Sequence, residues 1–227
     1  DKPSIGLIAG VKDGVLLSPF SAPFGGFHFR TEIIYASEID NFLMSLQTYI
    51  TKAQLKGTTI ILPPNIYHPT FNAKIVNSIL RVGFKADIPD ITNWVDLHIF
   101  NRSFIQKNTR EYLRQAIRNK LSFSITDRIT EKQMIYDLIR ENRMKFSRPI
   151  FMTFEDVLAT ANIWPVDFIK VCINGDEMVA SAIFYRNHPY ICYAAYWGDN
   201  DIGRPLRAMD FLTFSLWNHY KDLGYTY

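Results

Sequence analysis

The sequence predicts an α+β (mixed α/β) chain of two units, each a mostly antiparallel sheet flanked by helices. Three observations predict it. Asn174-Gly175 separates two apolar runs, Phe168–Ile173 and Met178–Tyr185, and Asn187-His188-Pro189 turns into a third, Tyr190–Trp197; Asn-Gly between apolar runs is the strongest short-range hairpin signal. A helix follows over Pro205–Leu223, with Pro205 in its first turn, Gly224 at its C-terminal cap and Tyr225-Thr226-Tyr227 opening a further strand. The first half repeats this order of elements while sharing hardly any residues, which reads as a weak internal duplication. The expected units are 1–99, incomplete at its start, and 100–227, cut before its last strands.

Composition narrows the class. Of 227 residues 48% are hydrophobic and 15% aromatic, so a sizeable core is available and disorder is excluded. A net charge of +3 argues little for nucleic acid, and no DNA partner is expected. No apolar run approaches the roughly 18–20 residues of a membrane span. Asp1-Lys2-Pro3 precedes only the short stretch Ile5–Ala9, which lacks the pattern of a signal peptide. Cys172 and Cys192 fall on the first and third strands of the meander, at least ~9–10 Å apart, too far for a disulfide. Both read as reduced apolar fillers, and the expectation is a cytoplasmic protein.

In chain order, Ile5–Ala9 and Val15–Pro19 flank Gly10-Val11-Lys12-Asp13-Gly14, another hairpin signal. The stretch from Ser18 through Phe24, Gly25, Gly26 and Phe27 is too broken by Pro and Gly for a plain strand. It reads either as a kinked strand or as a cleft lining, since glycines let a ligand approach the backbone. Ser37-Glu38-Ile39-Asp40 resembles a capping box, followed by an apolar face through Ile39, Leu43 and Leu46 to Ala53. Thr58–Leu62 reads as a strand, Phe71–Val82 as a helix with Ile75, Val76, Ile79 and Leu80 inward, and Phe84–Ile88 and Ile91–Ile99 as strands around Pro89-Asp90. A helix is expected over Ser103–Leu121, with Ile105, Tyr112, Leu113, Ala116 and Ile117 facing the core. Lys107, Arg110, Arg114 and Arg118 recur on one of its faces as a basic stripe. The stripe is either a solvated face or an anion site, for which the planar Arg fork is suited. Phe123–Thr126 is a short strand, Thr130-Glu131-Lys132-Gln133 a capping box opening a helix to Lys145, and Thr153–Ala159 a shorter helix.

Four stretches together carry a family resemblance. They are Gly14–Phe20 with Pro23–Phe27, the basic run Asn108–Arg118, the hairpin Asn174–Ile183, and the helix ending at Leu223-Gly224-Tyr225. With these the chain resembles the FemA/FemB-type aminoacyltransferases and their acetyltransferase-like relatives, which carry two GNAT-like units. The resemblance implies direct transfer in a cleft between the third and fourth strands of the second unit, without a covalent enzyme intermediate. The donor's phosphates would lie over the start of the following helix, where free N–H groups and the helix dipole favour an anion. Here that place is Gly203-Arg204-Pro205-Leu206-Arg207-Ala208, which departs from the usual Arg/Gln-x-x-Gly-x-Gly/Ala donor loop.

The expected donor-binding residues are Gly203, Arg204, Arg207, Tyr196 and Trp197. The expected acceptor-binding residues are Ser18, Phe24, Gly25, Gly26, Arg110 and Arg114. Asp199 and Asp201 are the candidate bases. The expected function is an N-acyltransferase that moves an acyl or aminoacyl group onto an amine of a small cell-envelope or sugar-nucleotide-type acceptor. No tightly bound cofactor is expected. Acyl-CoA is a candidate co-substrate, with acyl carrier protein or tRNA as other donor carriers. The alternative is a catalytically silent GNAT-fold binding module. No His-Glu-x-x-His or Cys-x-x-Cys pattern suggests a metal, and no P-loop or Gly-x-Ser-x-Gly elbow is present.

Overall fold

Two tight hairpins form, at Asp13-Gly14 and at the expected Asn174-Gly175, because each pair takes positive φ at two successive residues, a geometry whose twist matches that of paired strands. The structure is a computed structural model that describes residues 3–31, 33–87 and 89–227. The chain divides into two compact units, Asp1–Asn93 and Trp94–Tyr227.

The first unit contains β1 (Ile5–Leu7), β2 (Gly10–Lys12), β3 (Val15–Ser18), β4 (Phe27–Phe29), helix α1 (Ala36–Lys52), β5 (Gly57–Ile60) and helix α2 (Pro69–Arg81). The tight turn sets Lys12 opposite Val15, so β2, not the Ile5–Ala9 run, is the hairpin partner of β3. β1 pairs instead with β4, and β3 also pairs in parallel with β5. Ile34, Ile39, Leu43, Phe71 and Ile75 form the core of this unit. Val76 and Leu80, expected inward, are exposed; Ser78 is the buried residue of the last turns of α2. The cap of α1 sits just before the expected box: Glu38 Oε2 accepts from the Tyr35 N–H at 3.0 Å.

The strands expected over Phe84–Ile99 are not formed among the described residues, and Ile88 lies outside them. Pro89 cannot donate to a ladder, and Ile91 and Ile99 face solvent. Leu97 is buried, but in the second unit, where its N–H donates to the Thr226 carbonyl at 2.8 Å.

The second unit runs α3 (Lys107–Arg118), β6 (Ser122–Ile125), α4 (Ile129–Lys145), α5 (Phe154–Ala161), β7 (Val166–Ile173), β8 (Glu177–Tyr185), β9 (Tyr193–Asp199) and α6 (Ala208–Asp222). Its sheet is antiparallel throughout, in the order β6-β7-β8-β9. Side chains of a strand alternate between faces, and here both faces are covered, which explains the nearly continuous apolar runs of β7 and β8. On one face Ile169, Val171, Ala180 and Ala182 meet α3 and α6 through Ala116, Leu212, Leu216 and Tyr220. On the other, Phe168 and Ile183 meet Ile135, Ile139 and Val157 of α4 and α5.

Helix α3 is shorter than the sequence suggests. Arg110 donates to the carbonyls of Phe104 and Ile105, which holds the preceding segment as a turn. Ile105 is consequently outside the helix and 95% exposed, and Tyr112 and Ile117 are also exposed. Helix α6 likewise begins at Ala208, not Pro205, because Arg207 takes the left-handed conformation (φ 60°, ψ 37°) and ends a run of turns. Helix α4 starts at Ile129 with Arg128 at its N-cap and no side-chain cap, so the box expected at Thr130-Glu131-Lys132-Gln133 does not form; α5 carries one instead, where Thr153 and Asp156 exchange hydrogen bonds at 2.9 and 3.2 Å.

Candidate functional site

The end of β9 and the loop after it form the candidate site. Tyr227 N–H and Thr226 N–H donate to the Tyr190 carbonyl, and Cys192 N–H donates to the Tyr227 carbonyl. The last residues therefore run beside the start of β9 as an opening strand. Beyond Cys192 no ladder covers the outer edge of β9 among the described residues. Among the described residues Tyr193–Asp199 is therefore paired on one side only, with β8. Within it the register slips: Ile183 faces Tyr196 but Phe184 faces Ala194, leaving Ala195 without a partner position. Such a bulge frees backbone groups from the ladder and re-aims side chains.

The loop from Asn200 to Arg207 joins β9 to α6. Asn200, which the sequence reading did not single out, pins it. Its Nδ2 donates to the Met178 carbonyl at 3.0 Å, and its Oδ1 accepts from the Gly203 N–H at 2.8 Å. Gly203 is buried, and a Cβ there would collide with the Val179 carbonyl, so packing against β8 demands glycine. Helix α3 holds the loop from the other side: Gln115 Nε2 donates to the Pro205 carbonyl (3.2 Å) and Asn119 Nδ2 to that of Leu206 (3.1 Å). These amides carry no local pattern, because their partners lie far away in sequence.

Arg204 and Arg207 flank an open depression of about 420 Å³ together with Gln115, Asp201 and Pro205. The Arg207 guanidinium lies 3.7 Å from the centre of the Tyr112 ring, a cation–π contact that orients it without neutralising it. No carboxylate lies within ion-pair distance of Arg207 among the described residues. Several loop N–H groups are already engaged: Arg204 with the Asn200 carbonyl, Arg207 with that of Arg204, and Ala208 with that of Gly203.

The two candidate bases are both held by cations. Asp199 is 13% exposed; its Oδ1 accepts from Asn142 Nδ2 at 3.0 Å and faces Arg204 at 3.4 Å. Gly198 lets Asn142 come this close, since a Cβ there would lie 2.8 Å from the Asn142 Cγ. Asp201 is 74% exposed and pairs with Lys145 Nζ at 2.8 Å. That hydrogen bond holds its carboxyl below the usual range. Tyr196 and Trp197 point to opposite faces of β9 and do not line one pocket. Tyr196 packs on the α4 side, with the Arg143 guanidinium 5.8 Å from its ring centre. Trp197 lies beside Phe184. Burial pushes up the phenols of Tyr185, Tyr193 and Tyr196, so all three are protonated donors.

The residues expected to bind acceptor hold the fold of their own units. In the first unit Ser18 is buried, donates to the Ile8 carbonyl at 2.8 Å and accepts from the Gly26 N–H at 3.1 Å. Gly25 packs so tightly that a Cβ would lie 2.6 Å from Pro19 N, and its N–H donates to the Ile61 carbonyl. Gly26 takes φ 97°, and Phe24 stacks against Tyr67 at 5.1 Å. In the second unit Arg110 caps the turn before α3, and Arg114 pairs with Glu111.

Comparison with solved structures identifies this arrangement. The C-terminal domain of a protein named a lysylphosphatidylglycerol synthetase, from Agrobacterium fabrum, superposes with a TM-score of 0.60 at 14% identity, over 98% of this chain and 66% of that one. FemX superposes with a TM-score of 0.59 at 10% identity, over 98% of this chain and 77% of that one. The chain has a GNAT-like fold of the Fem type. This chain thus spans just under two thirds of the synthetase domain. No family model and no curated protein matches the sequence. No helix among the described residues is long and apolar enough to cross a membrane.

Proposed function

We propose that the chain is an N-acyltransferase that moves an acyl or aminoacyl group onto an amine, with the reacting carbonyl lying beside the bulge of β9. The observation that carries this reading is the bulge itself, where Ala195 has no partner position between the Ile183–Tyr196 and Phe184–Ala194 pairs. A bulge of that kind offers a backbone donor to a carbonyl oxygen that gains charge in the transition state. In the reaction the amine nitrogen attacks the acyl carbon, the C–N bond forms, and the donor's C–O or C–S bond breaks. The amine's proton passes to water and the leaving group takes one up.

The side chains fit a catalyst that works by positioning. Arg207 and Arg204 suit the donor's phosphates. Tyr196, kept protonated by burial, suits a hydrogen-bond donor to the leaving group. Asp199 and Asp201, already held by Asn142, Arg204 and Lys145, suit anchoring the loop better than removing a proton. A structural neighbour named for lysylphosphatidylglycerol supports an aminoacyl donor alongside acyl-CoA and acyl carrier protein. A cell-envelope acceptor is consistent with the same neighbour.

The test is a donor panel of acyl-CoAs, acyl carrier protein and aminoacyl-tRNA, each with amine and hydroxyl acceptors, read by mass spectrometry of the products. Arg207→Ala is expected to weaken a phosphate-bearing donor by about 1–3 kcal/mol. Transfer to no acceptor with any donor sinks the reading. A binding-only role is the second reading, favoured by the loop N–H groups that are already engaged. Tight donor binding without turnover would select it.

A further inference from the structure

A cavity in the second unit is lined by no residue of β9. It has a volume of about 660 Å³ and opens between the irregular segment 94–106 and the exposed flank of α6. Its size falls in the range of small-molecule sites, which are mostly apolar with a few placed polar groups. Its walls are aromatic: Trp94, Phe100, Phe104 and Trp217 all line it. Phe100 and Phe104 each lie edge-on to Trp217 with ring centres 5.2 Å apart, which braces the wall.

The charge pattern is one-sided. Asp96 and Asp210 line the cavity, and no Lys, Arg or His does. Three of the cations nearby are used in building the wall. Lys221 donates to the carbonyls of Leu97 and His98, Arg102 pairs with Asp222, and Arg110 donates to those of Phe104 and Ile105. Asp96 accepts from the His98 N–H at 2.9 Å. Asp210 is within no ion pair among the described residues; burial pushes its carboxyl up, against the pull of Arg207 outside the cavity and of a backbone hydrogen bond. An aromatic lining whose only charged members are two carboxylates suits a cation better than an anion.

We propose that this cavity binds an organic ammonium ion carried on an apolar body, with Asp210 and Asp96 meeting the charge and the four aromatic side chains holding the body. Aromatic rings attract cations as well as hydrocarbon, so both parts of such a ligand gain. The site stands on its own residues and on no step of the transfer reaction.

The test uses the full chain and three probes of one shape: 3-phenylpropylammonium, 3-phenylpropanol and 3-phenylpropionate, titrated by calorimetry. The ammonium is expected to bind about tenfold or more tightly than the alcohol, and the carboxylate to show no binding. Asp210→Asn should lose that preference while alcohol binding stays unchanged. If Asp210→Asn fails to fold, as judged by circular dichroism, Asp96→Asn and the shift of the Trp217 indole N–H resonance on adding the ammonium take its place. Equal binding of ammonium and alcohol overturns the proposal. So do a preference that survives the Asn variants, an unmoved Trp217 resonance, and no binding by any probe.

Discussion

Single residues in this chain are decided by whether a buried polar atom has a partner. Tyr220 is 1% exposed and donates to Asp167 Oδ2 at 2.9 Å, while Arg186 Nε lies 3.0 Å from the same oxygen. Tyr220→Phe removes one donor and leaves the Arg186 pair, so a loss of about 1 kcal/mol is expected in urea unfolding. Asp167→Ala strands the guanidinium and should cost about 2–4 kcal/mol; equal losses for the two variants would refute this division of roles. Cys192 provides a pH test. Burial pushes its thiol from 9.0 up to about 12. The folded state therefore binds the proton more tightly than the unfolded chain does. The stability this brings is complete below about pH 9 and is lost as pH rises toward 12. Alkaline melts of Cys192→Ala should fall less steeply over that window than those of the unmodified chain, and a parallel decline would contradict the assignment.

Among elements, the loop between β9 and α6 depends most on distant partners. Gly203→Ala pushes a methyl into the Val179 carbonyl. The loop must shift, and with it the N–H that Asn200 caps. The expected outcome is weaker donor binding and a lowered melting temperature together; a fully stable variant with unchanged affinity would show that the loop has slack. The same loop marks the limit of what could be read beforehand. The Asn174-Gly175 hairpin was legible because two residues suffice to set a turn, whereas the first hairpin was placed with Ile5–Ala9 and forms with Gly10–Lys12. Helix α4 and the β7–β8–β9 meander were legible from period and β-branched content. The start of α6 was not. Pro205 is a good first-turn residue, but the left-handed Arg207 and the Asn200 bridge to Met178 come from contacts across the unit. The segment 84–99 was read as strand from its apolar residues, yet no sheet edge receives it, and Leu97 alone is buried. Within the candidate site, Arg204 and Arg207 before α6 could be singled out from the sequence. The bulge at Ala195 and the supporting amides of Asn142, Asn119 and Gln115 could not, since each acts through a partner remote in sequence.

For the molecule as a whole, the two units differ in how much core they own. The first has one cluster around Ile39, Leu43 and Ile75 beneath two small sheets. The second has a four-stranded sheet buried on both faces by two clusters. Produced separately, residues 94–227 are expected to unfold cooperatively in calorimetry, and residues 1–93 to melt at lower temperature with a broader transition. The reverse order would mean that core size does not set stability here. The sheet of the second unit, covered on both faces, also has a consequence for how it opens. Water cannot reach its central amides from either side, so the N–H groups of Ile169, Val171, Ala180 and Ala182 should exchange for deuterium only when the whole unit unfolds, and their exchange rates then read out its global stability.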